Sequence, residues 1–420
     1  MKILIATEAE RSHFLVLAPL GWALRAAGHE VLVASQPELE PVVRAAGLPF
    51  NPVGRDHRLR RVIRNSLRMS PGEPADYFGF DMSEDRDEVL TWNHLKEGYG
   101  RAVTWWWRLV NDPLVEPMVD LCRGWRPDLV VWEPLTFAAA IAAEASGARH
   151  VRFLWGSDLF ARIRKRFLTR MAEQPAGEQL DPLASWLATR AARHGVEYSE
   201  TLTTGHATVE QVPPELRLTG PEDIHYLPMR YVPYNGPAVV PDWIRTPPDR
   251  PRIGVCLGTS TTDWYGEREI DLPGLLEGLA ELDVEVVATL TDREREQAGT
   301  VPSNARLVDY TPVLSLAPTC DLMVSHGGPG TTLTSLAHGI PQLLVPEHLM
   351  FDQMLTSRLV EQAGAGRLLA SEQVTAENVV RVARTLVEDP RYSRAAQSLS
   401  DRMSDMPSPA ALSRMLTEVG

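Results

Sequence analysis

The chain opens on a short apolar run, Lys2-Ile-Leu-Ile-Ala6. A stretch from His13 to Ala27 follows, in which Leu17, Leu20 and Leu24 recur at near-helical spacing, and then a second apolar run, Glu30-Val-Leu-Val-Ala34. Short continuous apolar runs read as strands buried on both faces, and the three-to-four-residue period between them as a helix with one apolar face. Gly28 closes that helix. Strand, helix and strand in so short a span predict a parallel βαβ unit. The alternation continues with a strand at Asp128–Trp132 and a helix at Phe137–Ala145. It restarts with strands predicted at Arg252–Leu257, Val284–Leu290, Ala305–Asp309, Leu322–Ser325 and Gln342–Val345, with helices between them. Pro213 to Pro251 is dense in turn formers, as in Tyr231-Val-Pro-Tyr-Asn-Gly-Pro237, and reads as a connection between two halves. Arg55 to Leu109 breaks the alternation and reads as irregular, with a basic cluster (Arg58, Arg60, Arg61, Arg64, Arg68) ahead of the acidic Asp85-Arg-Asp-Glu88.

A length of 420 residues suits two such domains, each able to bury its own core. The formal net charge of −13 argues against nucleic acid and against anionic membrane surfaces as partners. Cys122, Cys256 and Cys320 are odd in number and far apart, so neither a disulfide framework nor a zinc spacing is expected, and a reducing cytoplasm is. The apolar stretch at the N-terminus is too short for a signal peptide. The run Leu129 to Ala145 is interrupted by Glu133 and Glu144, which removes it as a membrane span.

The chemistry concentrates at His326-Gly-Gly-Pro-Gly-Thr-Thr332, which joins the strand ending at Ser325 to a helix-like segment closed by Gly339. A glycine-rich strand-to-helix turn gathers free backbone N–H groups and the positive end of a helix dipole, which suits a phosphate. His326 adds a side-chain donor, and Asp352-Gln353, after the next strand, could grip sugar hydroxyls. The plainer reading is a turn that only lets a helix pack close to a sheet; the His, the glycine spacing and the Asp-Gln pair favour a nucleotide-activated sugar. An esterase oxyanion loop would need a Gly-x-Ser-x-Gly elbow, which the chain lacks. The first βα turn, Thr7-Glu-Ala-Glu-Arg-Ser-His13, has no glycine for a dinucleotide fingerprint, so phosphate binding is expected in the second half alone. His13, Glu133, Thr259-Ser260, Tyr310-Thr311 and His326 all follow predicted strands, where open α/β sheets bind ligands. Asp85-Arg-Asp87 matches a metal-binding Asp-x-Asp but follows no strand and reads as a solvated helix start; His338 and His348 lack ligand spacing.

Pro19-Leu-Gly-Trp-Ala-Leu-Arg-Ala-Ala-Gly-His-Glu-Val31, Arg126-Pro-Asp-Leu-Val-Val-Trp-Glu-Pro-Leu-Thr-Phe137 and the long segment Met229 to Trp243 complete a resemblance to a known family. The chain resembles the inverting, metal-independent GT-B glycosyltransferases that decorate natural products. Within them it is most similar to the actinobacterial transferases that move TDP-deoxysugars, including aminosugars, onto macrolide and anthracycline aglycones. The resemblance implies an α/β chain of two Rossmann-like domains whose parallel sheets face each other across a cleft. It implies an acceptor-binding domain at 1–235, a linker at 236–251, a nucleotide-sugar-binding domain at 252–402, and a last helix within 403–420 that crosses back to the first domain. It implies antibiotic biosynthesis in the cytoplasm and no resident cofactor, with the TDP-sugar as donor substrate.

In that frame His13, with an intrinsic pKa near neutrality, is the expected general base. Glu133 stands where the wider family carries the Asp that orients the His, and its side chain is one methylene longer. His326, Gly327, Gly328, Gly330 and Thr331 would hold the diphosphate, Thr259 and Ser260 would add hydroxyl donors, Tyr310 and Thr311 would flank the base, and Asp352 and Gln353 would face the sugar. Trp105-Trp106-Trp107 cannot share one helix face. Trp105 and Trp106, with Trp155, are read as lining a pocket for a polyketide acceptor; an interface with a partner and plain core packing stay open. The resemblance also implies a partner, an activator protein like a cytochrome P450, meeting the Arg55–Leu109 stretch; a homodimer is allowed. Two alternatives are a nucleotide-sugar epimerase of GT-B fold and a non-catalytic sugar-nucleotide-binding assembly partner.

Overall fold

A computed structural model of the chain describes residues 1–69, 79–218, 220–221, 223–266, 268–348 and 352–417, without the side chains of 66–69. Arg68 of the basic cluster is therefore outside the described side chains. Two compact units form. The first comprises Met1–Gln211, Arg217–Met229 and Pro407–Gly420, the second Val212–Leu216 and Arg230–Met406.

The first unit is built on β1 (Lys2–Ala6), β2 (Glu30–Ser35), β3 (Phe50–Pro52), β4 (Leu129–Trp132), β5 (Arg149–Phe153), β6 (Ala207–Glu210) and β7 (Tyr226–Pro228). Among the described residues these make one sheet in the order β3-β2-β1-β4-β5-β6-β7, with parallel pairing throughout. In the central strand β1, Ile3 lies opposite Val31 on one side and Leu129 on the other. Ile3, Leu4, Ile5 and Ala6 are all buried, as expected of a strand covered on both faces.

The second unit repeats the plan with β8 (Arg252–Cys256), β9 (Glu285–Thr289), β10 (Ala305–Val308), β11 (Leu322–Ser325), β12 (Gln342–Leu344) and β13 (Gly366–Leu368), ordered β10-β9-β8-β11-β12-β13. Its core joins Ile253, Val255, Leu322, Val324 and Leu343 of the sheet to Leu275, Leu279, Val379 and Leu386 of the covering helices.

Both sheets reverse their winding direction once. In the first unit the chain moves outward from β1 through β2 to β3, then returns to place β4 on the other side of β1. In the second, β8 and β11 flank the same kind of reversal. At such a switch point the loops leaving two adjacent strands diverge and leave a crevice at their carboxyl ends. The structure thereby singles out the loops after β1 and β4, and those after β8 and β11.

Arg55 to Leu109 is less irregular than its composition suggests. Helices run over Leu59–Met69 and Trp92–Ala102, the second capped by Thr91. A π-helical turn, Val103–Trp107, carries the chain into the helix Arg108–Trp125. The wider turn lets both Trp106 and Trp107 point inward (1% and 2% exposed) while Trp105 stays outside at 59%. Trp106 is thus a core residue, which corrects its reading as an acceptor contact; the extra residue of the turn breaks the helical period used for that reading. Asp85 to Glu88 lies in turns, with Asp87 paired to Arg166 at 2.7 Å, where a helix start was expected.

Candidate active site

In the first unit the loop after β1 leads into the helix Arg11–Ala26, so His13 sits in that helix's first turn, earlier elements placing it at the switch point. The short C-terminal helix Pro409–Met415, capped by Ser408, packs on this helix. Glu133 leaves the neighbouring strand β4. Its carboxylate accepts hydrogen bonds from the Thr136 hydroxyl, from the backbone N–H of Glu8 at 3.3 Å and from that of Leu135 at 3.1 Å. Three donors hold it in place.

His13 Nδ1 lies 3.4 Å from Glu133 Oε2 and 3.5 Å from Glu8 Oε1. Neither contact has the length and alignment of a regular hydrogen bond, so the coupling is mainly electrostatic. The His13 ring stacks on Trp155, with centroids 3.8 Å apart and planes 12° from parallel. Burial disfavours the imidazolium, but contact with Glu133 and the charges of Glu133, Glu8 and Glu10 outweigh it and push the His13 pKa up to about 9. Glu8 is raised well above the usual carboxylate range, first by burial and then by the charge of Glu133. Glu10, at the start of the helix, pairs with Arg60 at 2.7 Å, tying the helix Leu59–Met69 to this loop.

In the second unit the loop after β11 turns into the helix Pro329–Ala337, with Gly328 as N-cap and Pro329 in its first turn. Gly327 has φ +83, and a Cβ there would stand 2.3 Å from Ser357 Oγ, so the backbone can close up only as glycine. The His326 ring lies between two more glycines. A Cβ on Gly258 would meet it at 2.5 Å and one on Gly328 at 2.4 Å. Burial, then the nearby Arg268, push the His326 pKa down to about 3, so the ring is a neutral donor near pH 7. Gly330 is exposed and Thr331 half-buried at the first turn. The buried Tyr231 hydroxyl reaches Gly330 O at 3.1 Å and Thr334 Oγ1 at 3.2 Å, pinning that turn from below.

The other expected residues fall into two groups. Thr259 is exposed and Ser260 half-buried at the loop after β8; Tyr310 is exposed after β10 and Thr311 is buried. Asp352 is half-buried. Gln353 differs from its expected role. It is 1% exposed, its Oε1 accepts the Glu347 backbone N–H at 3.0 Å, and its Nε2 reaches Thr261 Oγ1 at 3.4 Å. Its amide holds the loop after β12 in this structure. Beneath lies an ionic network that the sequence pattern did not expose: Arg268 bonds Glu294, Glu347 and the Gly258 carbonyl. Glu8, Tyr231 and Arg268 were missed because each is a lone polar residue in a loop or extended segment, with no periodicity to mark it.

Among the described residues, two groups of side chains approach closely enough to suggest a cation. In Glu144, His150 and His206, the Trp132 indole donates to His150 Nδ1 at 3.1 Å and the His150 backbone N–H to His206 Nδ1 at 3.2 Å. Both Nε2 atoms therefore carry hydrogens, which point at Glu144 Oε1 at 3.0 and 3.3 Å. That group is a closed hydrogen-bonded set. The other is Glu8, His13 and Glu133, whose closeness a shared proton accounts for. Among the described residues no helix is long and apolar enough to cross a membrane.

Two α/β units with parallel sheets, each with a loop cluster at its switch point, define a GT-B glycosyltransferase fold, and solved structures match over the full length. The glycosyltransferase VinC, in complex with dTDP, is 34% identical with a TM-score of 0.88, covering 100% of this chain and 99% of that one. The spinosyn forosaminyltransferase SpnP is 32% identical with a TM-score of 0.81, at 100% and 99% coverage. The chain belongs to the erythromycin biosynthesis protein CIII-like family of glycosyltransferases, matching its N-terminal domain over residues 22–258 and its C-terminal domain over 274–419. Curated relatives include the 10-deoxymethynolide desosaminyltransferase of Streptomyces venezuelae, 38% identical over 98% of this chain and 95% of the relative. The aklavinone 7-beta-L-rhodosaminyltransferase of Streptomyces galilaeus is 40% identical over 98% and 94%.

Proposed function

We propose that this glycosyltransferase moves a deoxysugar, an aminosugar included, from a TDP-sugar to a hydroxyl of a polyketide aglycone, with inversion at the anomeric carbon. The observation that carries the reading is the His13–Glu133 contact at the first unit's switch point, in a chain whose relatives transfer desosamine or rhodosamine. His13 Nδ1 faces the carboxylates, which leaves Nε2, once the ring has lost its own proton there to solvent, to take the proton of the acceptor hydroxyl as its oxygen bonds to the anomeric carbon. The bond from that carbon to the TDP oxygen breaks on the opposite face. Glu133 steadies the imidazolium that results.

The departing diphosphate gains charge, and the second unit offers the N–H groups of Gly330 and Thr331, the helix start and the neutral His326. Thr259 and Ser260 supply hydroxyls, Tyr310 and Thr311 border the nucleobase, and Asp352 contacts the sugar, with Gln353 shaping the loop behind it. Trp155 forms a wall of the acceptor pocket beside His13. A P450-like activator meets the first unit along the stretch Arg55–Leu109, where the cluster at Arg60, Arg61 and Arg64 supplies part of the complementary charge. The test is His13→Ala: turnover should fall by about 10²–10⁴ while TDP affinity holds. Near-normal turnover would remove His13 as the base.

A further inference from the structure

The loop after β1 brings a second carboxylate to the same nitrogen of His13. Glu8 is 1% exposed, its Oε1 is 3.5 Å from His13 Nδ1, and its Oε2 is buried without a hydrogen-bond partner. The contrast with Glu133 is complete, since three donors hold that carboxylate. We propose that Glu8 is a positioning residue of the base, a carboxyl that holds a proton beside the hydrogen-bonded Glu133 and, on losing it, adds a charge that retains the proton on His13.

The physical reason is that two carboxylates around one imidazole cannot both be charged cheaply in a dry pocket. The one with fewer donors takes the proton, and burial with the Glu133 charge raises Glu8 accordingly. The groups facing this cluster are few. Glu133 comes from the loop after β4, Glu10 from the same loop as Glu8, and Arg60 from the helix Leu59–Met69. Trp155 covers the His13 ring and carries no charge. Glu8 and His13 thus titrate together, each shifting the other. The exchange is balanced: each proton lost by Glu8 goes to solvent, and the one that His13 later accepts comes from the substrate hydroxyl.

This inference rests on His13 as the base, so its test includes a readout independent of turnover. The titration of the His13 ring is followed by NMR of its Cε1–H, assigned by loss of the signal in His13→Gln, beside the pH profile of kcat/KM. Glu8→Gln should lower the His13 midpoint by about one pH unit, because Glu8, raised to about 8, has lost its proton before the ring titrates near 9, and the amide carries no such charge. The acid limb of kcat/KM should move by the same amount. Glu8→Asp keeps the acid at a different reach and should fall between; it is the deciding variant if the amide does not fold. An unchanged His13 midpoint in the folded variant overturns the proposal. A shifted NMR midpoint in a protein whose turnover survives His13→Ala would uphold the Glu8 coupling and overturn the base assignment instead.

Discussion

Gly328→Ala tests how the second unit aims His326. At φ −64 the residue tolerates a side chain without backbone strain. The new methyl would lie 2.4 Å from His326 Nε2 and 3.0 Å from Cε1, against an ordinary contact of at least 3.4 Å. The ring must give way by about 1 Å, and its Cε1–Nε2 side is already crowded by Gly258, where a Cβ would stand 2.5 Å from Cε1. A displacement of about 1 Å takes a hydrogen bond out of range. His326 is neutral but its acceptor is a charged phosphate, so the loss is that of a charge-assisted bond, about 1.5–3 kcal/mol, or roughly a 13- to 160-fold rise in the Kd for TDP. Overpacking should also cost about 1–3 kcal/mol of stability. His326→Ala should weaken TDP by the same amount, and the double variant no further, since both act through one ring. Isothermal calorimetry with TDP reads the affinities and scanning calorimetry the stability. Full affinity in Gly328→Ala alongside weakened binding in His326→Ala would refute the placement of the ring; additive losses would refute the shared route.

Stability should fall as pH rises above about 6.5. His13, raised to about 9, contributes stability below the unfolded value of 6.5 that is lost as pH climbs through 9, because the folded state holds a proton that the unfolded chain has released. Below 6.5, His326 and His57, held down to about 3 and about 4 mainly by burial, take stability away because unfolding lets them take protons, while Glu8 and Glu210, raised to about 8 and about 7 first by burial, oppose that loss down to pH 4.5 because the folded state keeps their protons. Melting curves from pH 4 to 9 check this, and His13→Gln should flatten the alkaline side; an undiminished slope there would contradict the assignment. Turnover should also persist in EDTA, since the loop, helix start and His326 stand where a metal would otherwise meet the diphosphate. Loss of activity with rescue by Mg²⁺ or Mn²⁺ would return attention to Asp85 and Asp87.

The central strands were legible because β1, β2, β4, β8 and β11 are uninterrupted apolar runs. The strand β5, Arg149-His-Val-Arg-Phe153, was not, because polar residues sit inside a buried strand. Its Arg152 is neutralised by Asp158, which also caps the next helix, and His150 by Trp132 and Glu144. Those partners lie far along the chain or off its period, so the sequence pattern hides them. The same holds at the site. His326 and its glycines follow from local turn chemistry, and His13 from its place after a strand. Glu8 has no local signature; its meaning comes from β4 arriving beside β1 with Glu133. Gln353 shows the converse, since a polar residue next to a loop looks wholly available until its amide is seen bonded to Glu347 and Thr261.

The most direct measurement is the mass of the products after incubation with a TDP-deoxysugar and a polyketide aglycone, with and without a P450-like partner from the same pathway. The account predicts an aglycone heavier by one deoxysugar residue, released TDP, and a configuration at the anomeric carbon opposite to that of the donor. A TDP-sugar altered in configuration with the aglycone untouched would show an epimerase, and no change in either, despite tight TDP binding and an added partner, would show a binding protein; either result would contradict the transfer reaction proposed for this chain.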